Sequence, residues 1–135
     1  PEAYEAYIAI RAKAAHDIYR NFVQEMAAKK QFVIFCTGKA AKYALCLLRM
    51  NRLENMVAFC DNNQEKWGSS FYGYDVLSPK EAVRRYPDAH YLIAKVNVQQ
   101  EIIQQLVHYQ IPRDRISIYK LPLNAFGCTN LFMRH

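Results

Sequence analysis

The chain has 135 residues, 52% of them hydrophobic, with four glycines and five prolines; one domain with a substantial core, needing neither disulfides nor metal, is the expectation. No stretch approaches the roughly 20 unbroken apolar residues of a membrane helix, and no charged-then-apolar leader opens it. The net charge of +6 favours anionic ligands in general, but the 18 Lys and Arg are dispersed and adjacent only at Lys29-Lys30 and Arg84-Arg85, so no duplex-binding stripe is expected.

From Tyr4 to about Ala28 no Gly or Pro interrupts a helical pattern. Tyr4, Ile8, Ala15, Ile18, Phe22 and Met26 recur at spacings of four, seven, three, four and four, one apolar stripe on a long helix. Packing on its own domain is the plain expectation for that stripe. A contact with a second copy, or with another domain of the same protein, is the alternative.

"QFVIF" is then a short continuous apolar run, as in a strand buried on both faces. After the turn "CTG", Ala41, Ala44, Leu45 and Leu48 mark the inner face of a helix ending near Asn51. "NMVAFC" reads as a second buried strand closed by "DNN", and "QEKWGSSFYGYD" as a polar loop leading to a brief strand at "VL". Ser78-Pro79 predicts a helix start, with Pro at the first helical position and Glu81 completing a capping box. "HYLIA" is the next strand; Asn97 is placed to cap a helix with the inner face Ile102, Ile103, Leu106 and Val107; "ISIY" is the last strand.

Strands alternating with short helices imply βαβ units and a parallel sheet. The predicted fold is therefore α/β: a Rossmann-like sheet of about five strands, ordered 3-2-1-4-5 and flanked by helices, with an additional long N-terminal helix. The expected organisation is a helix over 1–30, a nucleotide-binding domain over 31–120 and a tail over 121–135 with no clear period. The sequence opens without Met, so a longer natural chain is expected.

Ligands of such sheets bind at the carboxyl ends of the strands, where the order reverses. The dinucleotide fingerprint uses one glycine for the bend, a second for close approach to pyrophosphate and a third for helix–strand packing. Here those positions are Cys36, Gly38 and Ala41. An anion would sit on the backbone N–H groups of Lys39 and Ala40 at the positive end of the helix, with Lys39 and Lys42 adding charge and Thr37 a hydroxyl. A Walker loop is excluded, because Val33 and Ala40 stand where it needs Gly and Ser or Thr.

Asp61, 23 positions after Gly38, is placed to accept hydrogen bonds from ribose hydroxyls, with Asn62 beside it; Asp-Asn-Asn is equally a good turn former. Lys95 and Asn97 border the crevice from the fourth strand, as phosphate and base or sugar contacts or as an ordinary lysine and helix cap. Trp67 and Tyr72 are candidates to close over a ring, or anchors for their loop. The candidate cofactor-binding set is thus Thr37, Gly38, Lys39, Ala40, Asp61, Asn62, Lys95 and Asn97.

Cys36, Cys46, Cys60 and Cys128 form no C-x-x-C pair, which suits reduced thiols in the cytoplasm. No zinc site is expected from the singly scattered His16, His90, His108 and His135. A thiol at a helix N-terminus, as Cys36 would be, can have a lowered pKa. No catalytic residue is assigned: the Tyr-x-x-x-Lys at Tyr91 and Lys95 runs along a strand, where four residues span roughly 13 Å, and no G-x-S-x-G or H-E-x-x-H occurs.

"FCTGKAAKYAL", "VAFCDNNQEKWGSSFYGYDVLSPKEA", "AHYLIA" and "EIIQQLVHYQIPRDRI" resemble small bacterial Rossmann domains linked to polysaccharide biosynthesis. Similar domains form the amino-terminal part of sugar dehydratases and sugar O-acyltransferases, or accompany methyltransferases and glycosyltransferases. The resemblance covers roughly Gln31 to Lys120, and implies binding of NAD(H) or a nucleotide-sugar around Gly38, Asp61 and the loop after the fourth strand. Three readings follow: a nucleotide-binding module of a larger sugar-modifying protein, a NAD-dependent sugar oxidoreductase or epimerase fragment, and a non-catalytic assembly domain with a degenerate site. The expected partner is a small nucleotide, with neither nucleic acid nor membrane insertion.

Overall fold

A computed structural model describes residues 2–120, the side chains of Arg11 and Ala15 aside. The tail over 121–135, with Cys128 and His135, lies outside the described residues. Helix α1 spans Glu2–Ala27, β1 Phe32–Phe35, α2 Lys39–Met50, β2 Met56–Cys60, β3 Ser70–Phe71, β4 Tyr74–Leu77, α3 Pro79–Arg85, β5 His90–Ile93, α4 Gln99–His108 and β6 Ile116–Ile118.

The sheet order is β3-β4-β2-β1-β5-β6, and every pairing is parallel except β3 with β4. The five predicted strands thus take the predicted order, and β3 is a sixth. That strand lies within the expected polar loop, where Tyr72 and Gly73, at φ of 50° and 88°, make the two-residue turn of positive φ that folds a hairpin.

Alternation along the strands divides the core in two. Phe32, Ile34, Phe59 and Leu92 pack with α2 and the end of α1; Val33, Phe35, Ala58, Tyr91 and Ile93 pack with α3 and α4. Every residue of β1 and β5 is buried, because helices cover both faces.

Three helix expectations need correction. Of the described side chains on the α1 stripe, Phe22 and Met26 in its last turns are buried, with Tyr19 beside them, and the Phe22 ring meets Tyr119 edge-on at 5.3 Å. Tyr4, Ile8 and Ile18 continue that face but are 67%, 48% and 49% exposed, since this part of the helix has no sheet beneath it. In α4, Ile102, Ile103 and Leu106 are buried but Val107 is exposed, and Val98 rather than Asn97 stands at the N-cap, without a side-chain cap. In α3 the capping box is half made. Ser78 Oγ accepts from the Glu81 N–H at 3.1 Å, while the Glu81 carboxylate turns to Arg84 and Arg85, which hold its pKa down at about 2.

Candidate functional site

The strand order reverses between β1 and β5, and a cleft of about 280 Å³ opens there, at their carboxyl ends. Three segments wall it: Cys36, Thr37 and Gly38 from the β1–α2 turn; Asp61, Asn62, Asn63 and Lys66 after β2; and Lys95, Val98 and Ile102 from the start of α4 and the loop before it.

The turn carries its conformations in unexpected places. Cys36 has φ +90°, a backbone region that glycine adopts freely and other residues rarely do. Its N–H extends the parallel pairing by donating to Cys60 O at 2.7 Å. Gly38 has an ordinary φ of −91° at the N-cap of α2, and a Cβ there would meet nothing within 4 Å. No side chain caps α2, so the first-turn amides have no partner within the helix and present the positive end of its dipole.

The expectation of a lowered thiol pKa at Cys36 is overturned. The side chain is buried among the core residues facing α4, and burial first, then the Asp61 carboxylate, pushes its pKa up to about 12. The helix dipole does not compensate for lost hydration of a thiolate. Cys60 behind it is raised too, chiefly by burial.

Asp61 ties the site together. Its Oδ2 accepts from the Thr37 N–H at 3.0 Å and from Thr37 Oγ1 at 2.8 Å; its Oδ1 accepts from the Asn63 N–H at 2.8 Å. Lys66 Nζ donates to Thr37 Oγ1 at 2.9 Å and stands 3.8 Å from Oδ2. Trp67 Nε1 donates to Asp61 O at 2.7 Å, so that ring anchors its loop. Of the roughly four acceptor positions of a carboxylate, one remains for a ligand, on Oδ1. The network clasps the β1–α2 turn to the end of β2.

Of the residues expected from sequence, the structure brings Thr37, Gly38, Asp61, Asn62 and Lys95 together around the cleft; Lys39, Ala40 and Asn97 lie off its wall. Ala40, in the first turn of α2, is buried in the core and Lys39 faces solvent, so any part they take is through backbone N–H groups. Lys66, Asn63, Val98 and Ile102 were missed. Lys66 had a signal: Asn63 caps the short 3₁₀ turn Gln64–Lys66, its Oδ1 accepting from the Glu65 N–H at 3.1 Å, which turns the lysine back over Asp61. Tyr91 is wholly buried with its hydroxyl on Tyr86 O at 3.1 Å, apart from Lys95. Among the described residues no three His, Cys, Asp or Glu cluster as metal ligands, and no helix is long and apolar enough to cross a membrane.

Comparison with known proteins gives a family and a fold. The family model "C2185-like, N-terminal" matches residues 28–117. Among solved structures, UDP-D-quinovosamine 4-dehydrogenase from Vibrio fischeri is similar at TM-score 0.50 and 22% identity over 62% of this chain and 75% of that one. RSP, a Rex-family repressor, is similar at TM-score 0.53 and 13% identity over 89% of this chain and 70% of that one. Its complex with beta-NAD+ and operator DNA gives TM-score 0.52 and 13% identity over 88% and 62%. No curated protein sequence matches this chain. At these identities the likeness is one of fold, the Rossmann-like arrangement that the sheet order already describes.

Proposed function

We propose, of a chain that belongs to the C2185-like, N-terminal family, that it is a nucleotide-binding module whose ligand is NAD(H) or a nucleotide-sugar. One observation carries this reading. Gly38 needs to be glycine for no reason found among the described residues: its φ is ordinary and none of them would meet a Cβ there. A ligand phosphate drawn close to the backbone accounts for it. The uncapped amides of α2 and the ammonium groups of Lys66 and Lys95 add the charge complement for such an anion. Val98 and Ile102 offer the apolar wall that a base or sugar ring would cover.

In this reading the 31–120 unit binds and presents the nucleotide, with Thr37, Gly38, Asp61, Asn62 and Lys95 as side-chain or turn contacts and Lys39 and Ala40 contributing amides. No group of the chain is given a catalytic step, and the chemistry belongs to a larger bacterial sugar-modifying or polysaccharide-biosynthesis protein of the cytoplasm. The four sequence runs quoted above support that setting, as does a neighbour described as a UDP-sugar dehydrogenase; the complexes of the Rex-family repressor with beta-NAD+ and beta-NADH support a nicotinamide nucleotide. The partner is read as a small molecule and not nucleic acid because the positive charge is dispersed. A second reading, assembly without a ligand, is favoured by the exposed apolar half of α1, a surface for a second copy or a flanking domain.

Thermal-shift titrations with NAD, UDP-sugars, coenzyme A and S-adenosylmethionine separate the two. A ligand at 100 times its Kd adds about 2.7 kcal/mol of stability. Gly38→Ala is expected to leave the unliganded protein within about 1 kcal/mol of the parent and to weaken that ligand at least tenfold. Silence toward all four at millimolar concentration would move the assignment to assembly.

A further inference from the structure

Asn62 and Gln105 hold each other through both ends of their carboxamides. Asn62 Nδ2 donates to Gln105 Oε1 at 2.9 Å, and Gln105 Nε2 donates to Asn62 Oδ1 at 2.8 Å. The residues are 43 apart in sequence, and the closed amide pair joins the end of β2 to α4 one helical turn beyond Ile102, at the edge of the cleft that Asn62 lines.

As a brace the pair is redundant. Helix α4 is already seated by the buried Ile102, Ile103 and Leu106, and Asn62 is exposed to solvent that competes for the same bonds. What the pair does is occupy an adjacent donor and acceptor beside an apolar wall. Every nucleobase offers an adjacent donor and acceptor on its pairing edge, so a base lying on Val98 and Ile102 would present to Asn62 what Gln105 presents now.

We propose that Asn62 reads the base edge of the nucleotide, and that Gln105 is an internal competitor which the base must displace. This rests on the nucleotide reading of the cleft and adds to it the part of the ligand recognised and the residue that recognises it. The strained start of α4 fits such an exchange: Val98, a β-branched residue at φ 51°, is held in a conformation that such residues avoid unless their surroundings enforce it.

The two partners therefore have opposite signs. Binding of ADP, UDP and, as a base-free probe, inorganic pyrophosphate is measured by calorimetry on the parent, Asn62→Ala and Gln105→Ala, with thermal melts confirming that each variant is folded. Asn62→Ala is expected to weaken ADP and UDP about tenfold and to leave pyrophosphate unchanged. Gln105→Ala is expected to tighten ADP and UDP about threefold, because it removes the competitor. The proposal is overturned if Asn62→Ala leaves the nucleotides unaffected, if it weakens pyrophosphate equally, or if Gln105→Ala weakens binding as Asn62→Ala does, the mark of a brace. A parent that binds neither ADP nor UDP defeats the nucleotide reading as well; a parent that binds them, with Asn62→Ala binding them equally well, defeats this proposal alone.

Discussion

The two ends of the parallel sheet are built from the same strands under different rules. At the amino end polar groups are tied to one another. His90 Nε2 meets Ser117 Oγ at 2.6 Å, Ser117 Oγ donates to Glu25 Oε1 at 2.8 Å, and Asn55 Nδ2 donates to Met26 O and Lys29 O at 2.8 and 2.7 Å. The left-handed residues on that side, Arg52 and Gln110, each follow the C-cap of a helix, where that conformation is an ordinary way to stop. At the carboxyl end Cys36 and Val98 hold positive φ without ending any helix, the amides of α2 go uncapped, and lysines face a cleft. One end is arranged to keep α1 on the sheet, the other to leave groups available. Strain and unsatisfied polarity collect where a ligand could repay them.

The largest expected break in that contrast comes from pH at the amino end. Burial, then Lys29, lowers the His90 pKa from 6.5 to about 4, with Arg115 acting in the same direction and Glu25 and Asp114 against it. The unfolded chain therefore binds the proton first as pH falls. Stability should be level above about 6.5, decline by about 3 kcal/mol between 6.5 and 4, and draw nothing further from this residue below that. Urea unfolding at several pH values tests it, and His90→Gln should flatten this segment of the profile. A parent profile flat across the window would show that His90 is not held neutral.

Next in size is Asn55. Removing its amide takes the side-chain donor from Lys29 O and one of two donors from Met26 O, which keeps the Lys29 N–H, at a cost of about 1–3 kcal/mol, so Asn55→Ala should lower the urea midpoint and speed amide exchange in the last turns of α1 ahead of the strands. Uniform exchange would mean that the helix is held by Phe22 and Met26 alone. The smallest effect is that of Cys36→Gly, at the carboxyl end. Cys36→Gly relieves a strained φ but loosens the unfolded chain and removes a buried thiol, so its stability should stay within about 1 kcal/mol of the parent. Cys36→Val, β-branched at the same φ, should lose about 1–3 kcal/mol. Equal losses for both would mean that packing of the thiol outweighs the backbone.

Much of the fold was legible because its signals are local. Continuous apolar runs such as Phe32–Phe35, the helical spacing of Ala41, Ala44, Leu45 and Leu48, and Ser78-Pro79 each declare an element from neighbours in sequence. Crossover handedness then turned alternating elements into the observed order of five strands. The hairpin at Ser70–Phe71 escaped because Tyr72 is an unusual residue for positive φ. The exposed half of α1 escaped because a periodic stripe reports which face is apolar and not whether anything lies beneath it.

The candidate site was legible as a place rather than as an arrangement. Gly38 and Asp61 could be put at the ends of their strands by counting. That one Asp61 oxygen would be taken by Thr37, that Lys66 would return to Thr37, and that Asn62 would meet Gln105 were decided by segments 24 to 43 residues apart. The sequence by itself determined the α/β order, the strand that begins the site and the glycine that opens it, since backbone preference and periodicity act between near neighbours. Only the tertiary structure decided the charge state of Cys36 and the partners of each polar group, since hydration and hydrogen bonding depend on what the fold brings alongside.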